Sequence, residues 1–460
     1  MKRIQYLLLT LFFLAFTACE SYLDVDPVGQ DLLEEDALNT PEDYEELLNS
    51  CYDVVANYHN GRLQVLYDLL SDDLAQPNNN ADYNEVYNRN MLFFNGTIGG
   101  VYREPYRAIG RINRMLTRID EIGLDAQRRT TMEAECRFLR AFGHFELVRG
   151  WAQPAGYTAD NSHPGVTVKT NNSTDLPIRN TVQEVYDLIL NDLIFAQANL
   201  PTSNGEYATQ YAADALLAKV YFQLNDYANA AAHADAVISS GMFSLDPSNT
   251  DTANRFSEGS ISPEAIYSTI SLEIDQRSGG FTGNYRTDIG NEPTLRASTD
   301  IYQIYGGDTT DQRSRWFTVV NEGTPNEFIG ITKFNRQYFN VPVLHLTDMM
   351  LLRAEALAET GTDLATAIQD VNDIRERAYG GPQNNLGPNV GADAIIAAAR
   401  FERRIEMLGE GDRIQQLKRQ GANGEAITIR NAPWNCPGMV LQFPIVELTD
   451  NFPLNETGGC

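Results

Sequence analysis

The chain has 460 residues, 43% of them hydrophobic, and carries 62 Asp and Glu against 35 Lys and Arg, a formal net charge of −27. That balance allows a large buried core and argues against nucleic acid or anionic lipid as a partner, since both repel a strongly acidic protein. One large domain or two ordinary ones fit this length.

The first segment is a leader. Lys2 and Arg3 precede an apolar run from Tyr6 to Phe16, and small residues Thr17 and Ala18 lead into Cys19. Charged start, apolar middle and small-residue end are the parts of an export signal. The run is too short for a bilayer, which needs about 20 apolar residues. Phe16-Thr17-Ala18-Cys19 resembles the bacterial lipobox, although the pattern favours Leu where Phe16 stands. The resemblance implies that residues 1–18 are removed and that Cys19, carrying acyl chains such as palmitate, anchors the chain to outer-membrane lipid. More than one acyl chain is needed for stable attachment.

Residues 19–36 read as an extended, polar tether. Asp24, Asp26, Gly29 and Glu35 fall at four positions of a calcium loop, but Val28 replaces an oxygen ligand and no helix precedes them. Calcium wants six or more oxygens, so no metal is expected here. Thr40-Pro41 starts a helix, with Tyr44, Leu47, Leu48, Cys51, Tyr52 and Val55 on one face. Asn57 to Gly61 breaks it. After Leu63–Leu74 comes a loop rich in Asn and Asp, residues 76–84. Helices follow over Tyr102–Ile122, with Ile109, Ile112, Leu116 and Ile119 inward, and over Asp125–Trp151.

Residues 152–177 are loop. Thr181-Val182-Gln183-Glu184 is a capping box that opens a helix ending near Pro201. Tyr211 to Gly241 is a helix pair hinged at Asn225-Asp226. From about 246 to 342 the periodicity fades into an irregular insert with short β-like runs at Ala265–Leu272, Trp316–Val320 and Phe328–Lys333. Helix returns over Leu344–Ala378 and Ala392–Arg419, before an irregular tail.

Ala218, Tyr221, Tyr227, Ala230 and Ala234 place small residues and aromatics where a tetratricopeptide repeat needs them. Ala354, Leu357, Gly361 and Ala367 make a looser second copy. The fold class expected is mainly α: tetratricopeptide-like helix pairs with an irregular, loop-rich region packed on them, in a single domain over 37–460. Cys51 and Cys136 lie in helical patterns and read as buried small hydrophobes. In an exported chain, Cys436 and Cys460 are free to form a disulfide. No CxxC or Cys/His cluster is present, which speaks against a zinc site.

Several blocks spread along the chain resemble the RagB/SusD family of surface nutrient-binding lipoproteins from Bacteroidetes. They are Cys19 with Tyr22-Leu23-Asp24-Val25-Asp26-Pro27, Ala134–Phe142 with Leu147-Val148-Arg149, and Arg179–Tyr186 with Asp192-Leu193. Further along come Leu352–Ala356, Glu402–Glu406 leading to Gly411-Asp412-Arg413 and Leu417-Lys418-Arg419, and Gln442–Ile445 with Glu447 and Asn451. Ile414 and Gln415 depart from the aromatics that the family places after the arginine at Arg413. The resemblance implies a helical protein that binds oligosaccharide, or peptide in some members, at the cell exterior. Such a protein passes its ligand to a SusC-like TonB-dependent outer-membrane channel, and it is no enzyme and needs no cofactor.

The residues themselves agree. The five histidines are dispersed with no HExxH pair, and neither a GxSxG elbow nor a phosphate loop occurs. A sugar needs flat rings beside amide and carboxylate hydrogen-bonders. Loop chemistry alone picks Asn79, Asp82, Tyr83 and Tyr87 from the Asn-rich loop, Tyr285 from a glycine-rich loop with Phe281, Asn284 and Arg286, and Trp316. Two other classes stay open: a lipid-anchored helical glycoside hydrolase, whose paired carboxylates would be defined only in space, and a ligand-free helical-repeat scaffold.

Overall fold

The helices begin where short polar side chains satisfy free backbone amides. A computed structural model of the chain describes residues 38–173, 175–246, 253, 255–290 and 292–460. Cys19, the leader and the tether lie outside the described residues. The helices are α1 (Pro41–Tyr58), α2 (Arg62–Leu70), α3 (Ala81–Tyr87), α4 (Gly96–Arg118), α5 (Ala126–Trp151), α6 (Val182–Asn199), α7 (Gln210–Gln223), α8 (Tyr227–Ile238), α9 (Gly279–Tyr285), α10 (Leu346–Thr360), α11 (Leu364–Tyr379), α12 (Ala392–Glu406) and α13 (Arg413–Ala422). The expected capping box is formed: Glu184 N donates to Thr181 Oγ1 at 3.2 Å and Thr181 N to Glu184 Oε2 at 2.8 Å. At the expected hinge Asn225 is left-handed (φ 58°), and Asp226 Oδ1 accepts from Asn229 N to start α8.

Residues from Leu47 to Cys460 form one unit, and those up to Glu46 group separately. Within the larger unit α4 packs on α5, α5 on α6, α6 on α7, α7 on α8, then α8 on α10 and α10 on both α11 and α12. This is the tetratricopeptide-like stack. Its small-residue logic is clearest where Ala354, Ala358, Ala367, Ala398 and Ala399 share a cluster with Ile368, Val371 and Ile395. Side chains that short let helix axes close to about 8 Å. Arg353 on α10 ties both neighbours, donating to Asp370 on α11 at 2.8 and 2.7 Å and to Asp235 on α8 at 2.5 Å.

The irregular insert leaves after α8 and returns at α10. It holds two antiparallel strand pairs, β1 (Ala265–Thr269) with β4 (Val341–His345) and β2 (Phe317–Val320) with β3 (Phe328–Ile331). Buried charge fastens it to α12. Arg313 donates to Asp311, Glu402 and Glu406. Arg255 meets Glu406 and Glu410, and Lys333 Nζ donates to Glu410 Oε1 at 2.6 Å and to the carbonyls of Glu406 and Leu408. Burial opposes the Glu406 carboxylate, yet Arg377, Arg255 and Arg313 hold it far below the ordinary carboxylate range. Burial pushes the Lys333 ammonium down to about 8 against the pull of Glu410.

Four expectations are corrected. The Asn-rich loop contains α3, too short for an apolar repeat to show, and the glycine-rich loop is α9. The helix expected from Tyr102 begins at Gly96, capped by Asn95. The single helix expected over Ala392–Arg419 is two, because the chain turns at Gly409 and Gly411 (φ 80° and 77°). A Cβ at Gly409 would lie 2.5 Å from the Phe334 ring and one at Gly411 2.9 Å from Gln64 Cα, so no other residue fits this turn.

Candidate functional site

The side chains picked from loop chemistry do not gather into one site. Trp316 and Tyr285 are fully buried and Tyr83 nearly so. Lys333 Nζ lies 5.2 Å from the Trp316 ring centroid, the Tyr285 hydroxyl donates to Asp68 at 3.3 Å, and Asn284 Nδ2 donates to the Tyr83 hydroxyl at 3.3 Å. These three rings are core, which corrects the expectation that they face a ligand. Asp82 starts α4, its Oδ2 accepting from Thr97 N at 2.9 Å and Thr97 Oγ1 at 2.7 Å. Asn80 caps α3 in the same way. The amides and carboxylates of the loop are thus largely engaged in helix starts. Asn79 is exposed in a left-handed conformation, and Tyr87 is half-buried with the Arg430 guanidinium 4.0 Å from its ring centroid.

Cys436 and Cys460 are bonded, their Cα atoms 5.7 Å apart. Cys51 and Cys136 are buried free thiols, and burial pushes Cys51 up to about 12, far from a reactive thiolate.

A different place has the form of a binding site. An open groove of about 890 Å³ lies between α4 and residues 167–173, with Pro177 and Glu447 also lining it. That volume is in the range of roughly 300–1,000 Å³ usual for ligand sites. Tyr106 is its part-exposed ring, packed with its centroid 5.3 Å from that of the buried Tyr102 beneath it. The Tyr106 hydroxyl donates to Thr167 O at 3.0 Å, pinning the segment to the helix. One wall presents Arg103, Arg107, Arg111 and Arg114; the other presents Thr167, Lys169, Asn171, Asn172 and Ser173. Burial raises the Glu447 carboxyl, with Lys169 pulling the other way. A part-exposed ring beside hydroxyl, amide and guanidinium donors suits a polyhydroxylated ligand, and among the described residues no group of His, Cys, Asp and Glu could hold a metal ion.

The groove was legible in part. Arg103, Arg107, Arg111, Arg114 and Arg118 repeat at four- and three-residue steps, one helical face. The apolar stripe Ile109, Ile112, Ile119 identifies the core-facing side of the helix and draws attention from the arginines.

A sequence profile of the family described as starch-binding associating with outer membrane matches residues 21–222, and the SusD family profile matches residues 239–433. The chain belongs to the SusD/RagB family, a non-catalytic family of carbohydrate-binding nutrient-uptake proteins. A SusD-like protein of Formosa agariphila is 25% identical over 457 residues, covering 87% of this chain and 88% of that protein. Among solved structures, a SusD superfamily protein of Bacteroides thetaiotaomicron superposes with a TM-score of 0.77 at 22% identity, covering 91% of this chain and all of that one. A SusD-like carbohydrate binding protein of Bacteroides vulgatus superposes with a TM-score of 0.69 at 16% identity, covering 83% and 84%. Among the described residues no helix is long and apolar enough to cross a membrane.

Proposed function

We propose that this chain is a lipoprotein of the outer membrane, held by acylated Cys19 and facing the cell exterior. It binds oligosaccharide in the groove beside α4 and delivers it to a SusC-like TonB-dependent channel. The observation that carries the reading is the groove itself, open and walled by hydrogen-bond donors beside the ring of Tyr106, in a chain whose family takes up carbohydrate. Asn79 and Tyr87, followed in the chain by the exposed ring pair Phe93 and Phe94, offer a second set of contacts outside the groove.

The reading is tested on protein isolated from outer membranes of cells that make it. It should retain labelled oligosaccharides, release no new reducing ends, co-purify with a channel of that class, and leave the membrane fraction when Cys19 is changed to serine. Failure to bind any glycan across neutral and charged classes, or turnover of one, removes it.

A further inference from the structure

The groove has the wrong sign for this protein. In a chain of net charge −27, α4 contributes Arg103, Arg107, Arg111, Arg114 and Arg118 against the single acid Glu104. Five cations line the groove, the first four of these arginines with Lys169, against two carboxylates, Glu104 and Glu447. The molecule's overall charge does not cancel this locally, because fields from exposed charges are screened beyond about 8 Å at physiological salt.

The partners of Arg103, Arg107 and Arg111 differ from those of four arginines in the core. Arg313, Arg353, Arg403 and Arg419 each meet a buried carboxylate that occupies the guanidinium. Arg103 instead donates to the carbonyl of Gly99 at 3.1 Å, and Arg111 to that of Ser50 at 3.0 Å. A guanidinium has five N–H donors, so one carbonyl leaves most of them available. Arg107 pairs with Glu104 across one helical turn at 2.7 Å with its own side chain half-exposed, the kind of contact that contributes little and exchanges readily. Arg103, Arg107 and Arg111 stand about 6 Å apart along the helix axis, four residues at the ordinary rise. That spacing suits anions repeated along an oligomer better than one point ion.

We propose that the groove takes an anionic oligosaccharide, whose repeated carboxylates or sulfate esters lie against Arg103, Arg107, Arg111 and Lys169 while a sugar ring lies against the part-exposed ring of Tyr106. Planar guanidinium groups suit both anions, which they can grip with two parallel hydrogen bonds. The proposal rests on the oligosaccharide-binding reading above and narrows its ligand class.

The test is calorimetric titration of the mature protein with three probes: an oligogalacturonate, a sulfated carrageenan oligosaccharide and neutral maltoheptaose. At 50 mM salt at least one anionic probe should bind ten-fold or more tightly than maltoheptaose, and its affinity should fall as salt rises. Which anionic probe binds separates the carboxylate source from the sulfate ester. The double variant Arg107→Gln, Lys169→Gln, whose side chains are not buried, should keep the wild-type circular dichroism and melting temperature. It should lose at least ten-fold in affinity for that probe and show a shallower salt dependence. Preference for maltoheptaose overturns this proposal and leaves the oligosaccharide reading standing, and so does anionic binding that the double variant does not weaken. Binding of no probe, extended to a full glycan array without a hit, overturns both.

Discussion

Arg313 Nη2 in the insert donates to Glu402 Oε2 on α12 at 2.7 Å, with both side chains essentially excluded from water. The same guanidinium holds Asp311 and Glu406, so three carboxylates converge on one cation. Cutting Arg313 to alanine takes the cation from buried Asp311, while Glu402 keeps Arg375 and Glu406 keeps Arg255 and Arg377. Removing one member of a buried ion pair costs about 3–5 kcal/mol. Arg313→Ala should therefore lose that much in urea unfolding monitored by tryptophan fluorescence. A loss below about 1 kcal/mol would mean that water reaches the cluster.

Lys418 on α13 is almost completely buried and has no ion pair among the described residues. Burial alone pushes its ammonium down to about 7. Below that pH the lysine is charged both folded and unfolded, and its desolvation cost is fully present. Between about 7 and the ordinary value of 10.5 the unfolded chain binds more protons than the folded one, so this group makes stability rise with pH. Lys418→Met should raise the unfolding midpoint at pH 6.5 and flatten the rise of stability from pH 7 to 9. An unchanged slope in urea titrations across that window would refute the assignment.

The bond between Cys436 and Cys460 closes a stretch of sequence separation 24. Within it Gly438 N donates to Gly458 O, and Gly458 N donates to Arg89 O, each at 3.0 Å. A crosslink over such a loop removes roughly 3 kcal/mol of unfolded-chain freedom. Cys460→Ser should speed hydrogen exchange at Gly438 and Gly458 by an order of magnitude or more, with α5 to α8 unaffected. Equal exchange in both proteins would show that packing of Phe443 and Phe452 suffices to hold the segment.

Local rules were readable wherever one helix turn contains its own explanation. Thr181 and Glu184 identify each other across three residues, and Asn225-Asp226 marks a hinge by chemistry alone. The β-like runs of the insert fell close to β1, β2 and β3 because strand signals are also local. Burial was not readable for Trp316, Tyr285 and Tyr83. The same rings beside polar neighbours serve a sugar site or a core, and only the distant partners Lys333, Asp68 and Asn284 decide between them. The break between α12 and α13 was hidden for the same reason. Gly409 and Gly411 are forced by Phe334 and Gln64, which lie far away in the chain. The arginine face of α4 was present in the spacing, but its meaning depends on residues 167–173 lying across from it.

Arg353 and Asp235 meet although 118 positions separate them in the chain, because the insert departs and returns between two neighbouring rods of the stack. Such a lobe hangs from a fixed socket. Its length can change at little cost, since lengthening a loop two-fold adds only about 0.6 kcal/mol to closing it. Relatives can therefore remodel that lobe generation after generation while the rods keep their alignment. Exchanging it between two of them should leave the groove beside α4 and its ligand preference unchanged.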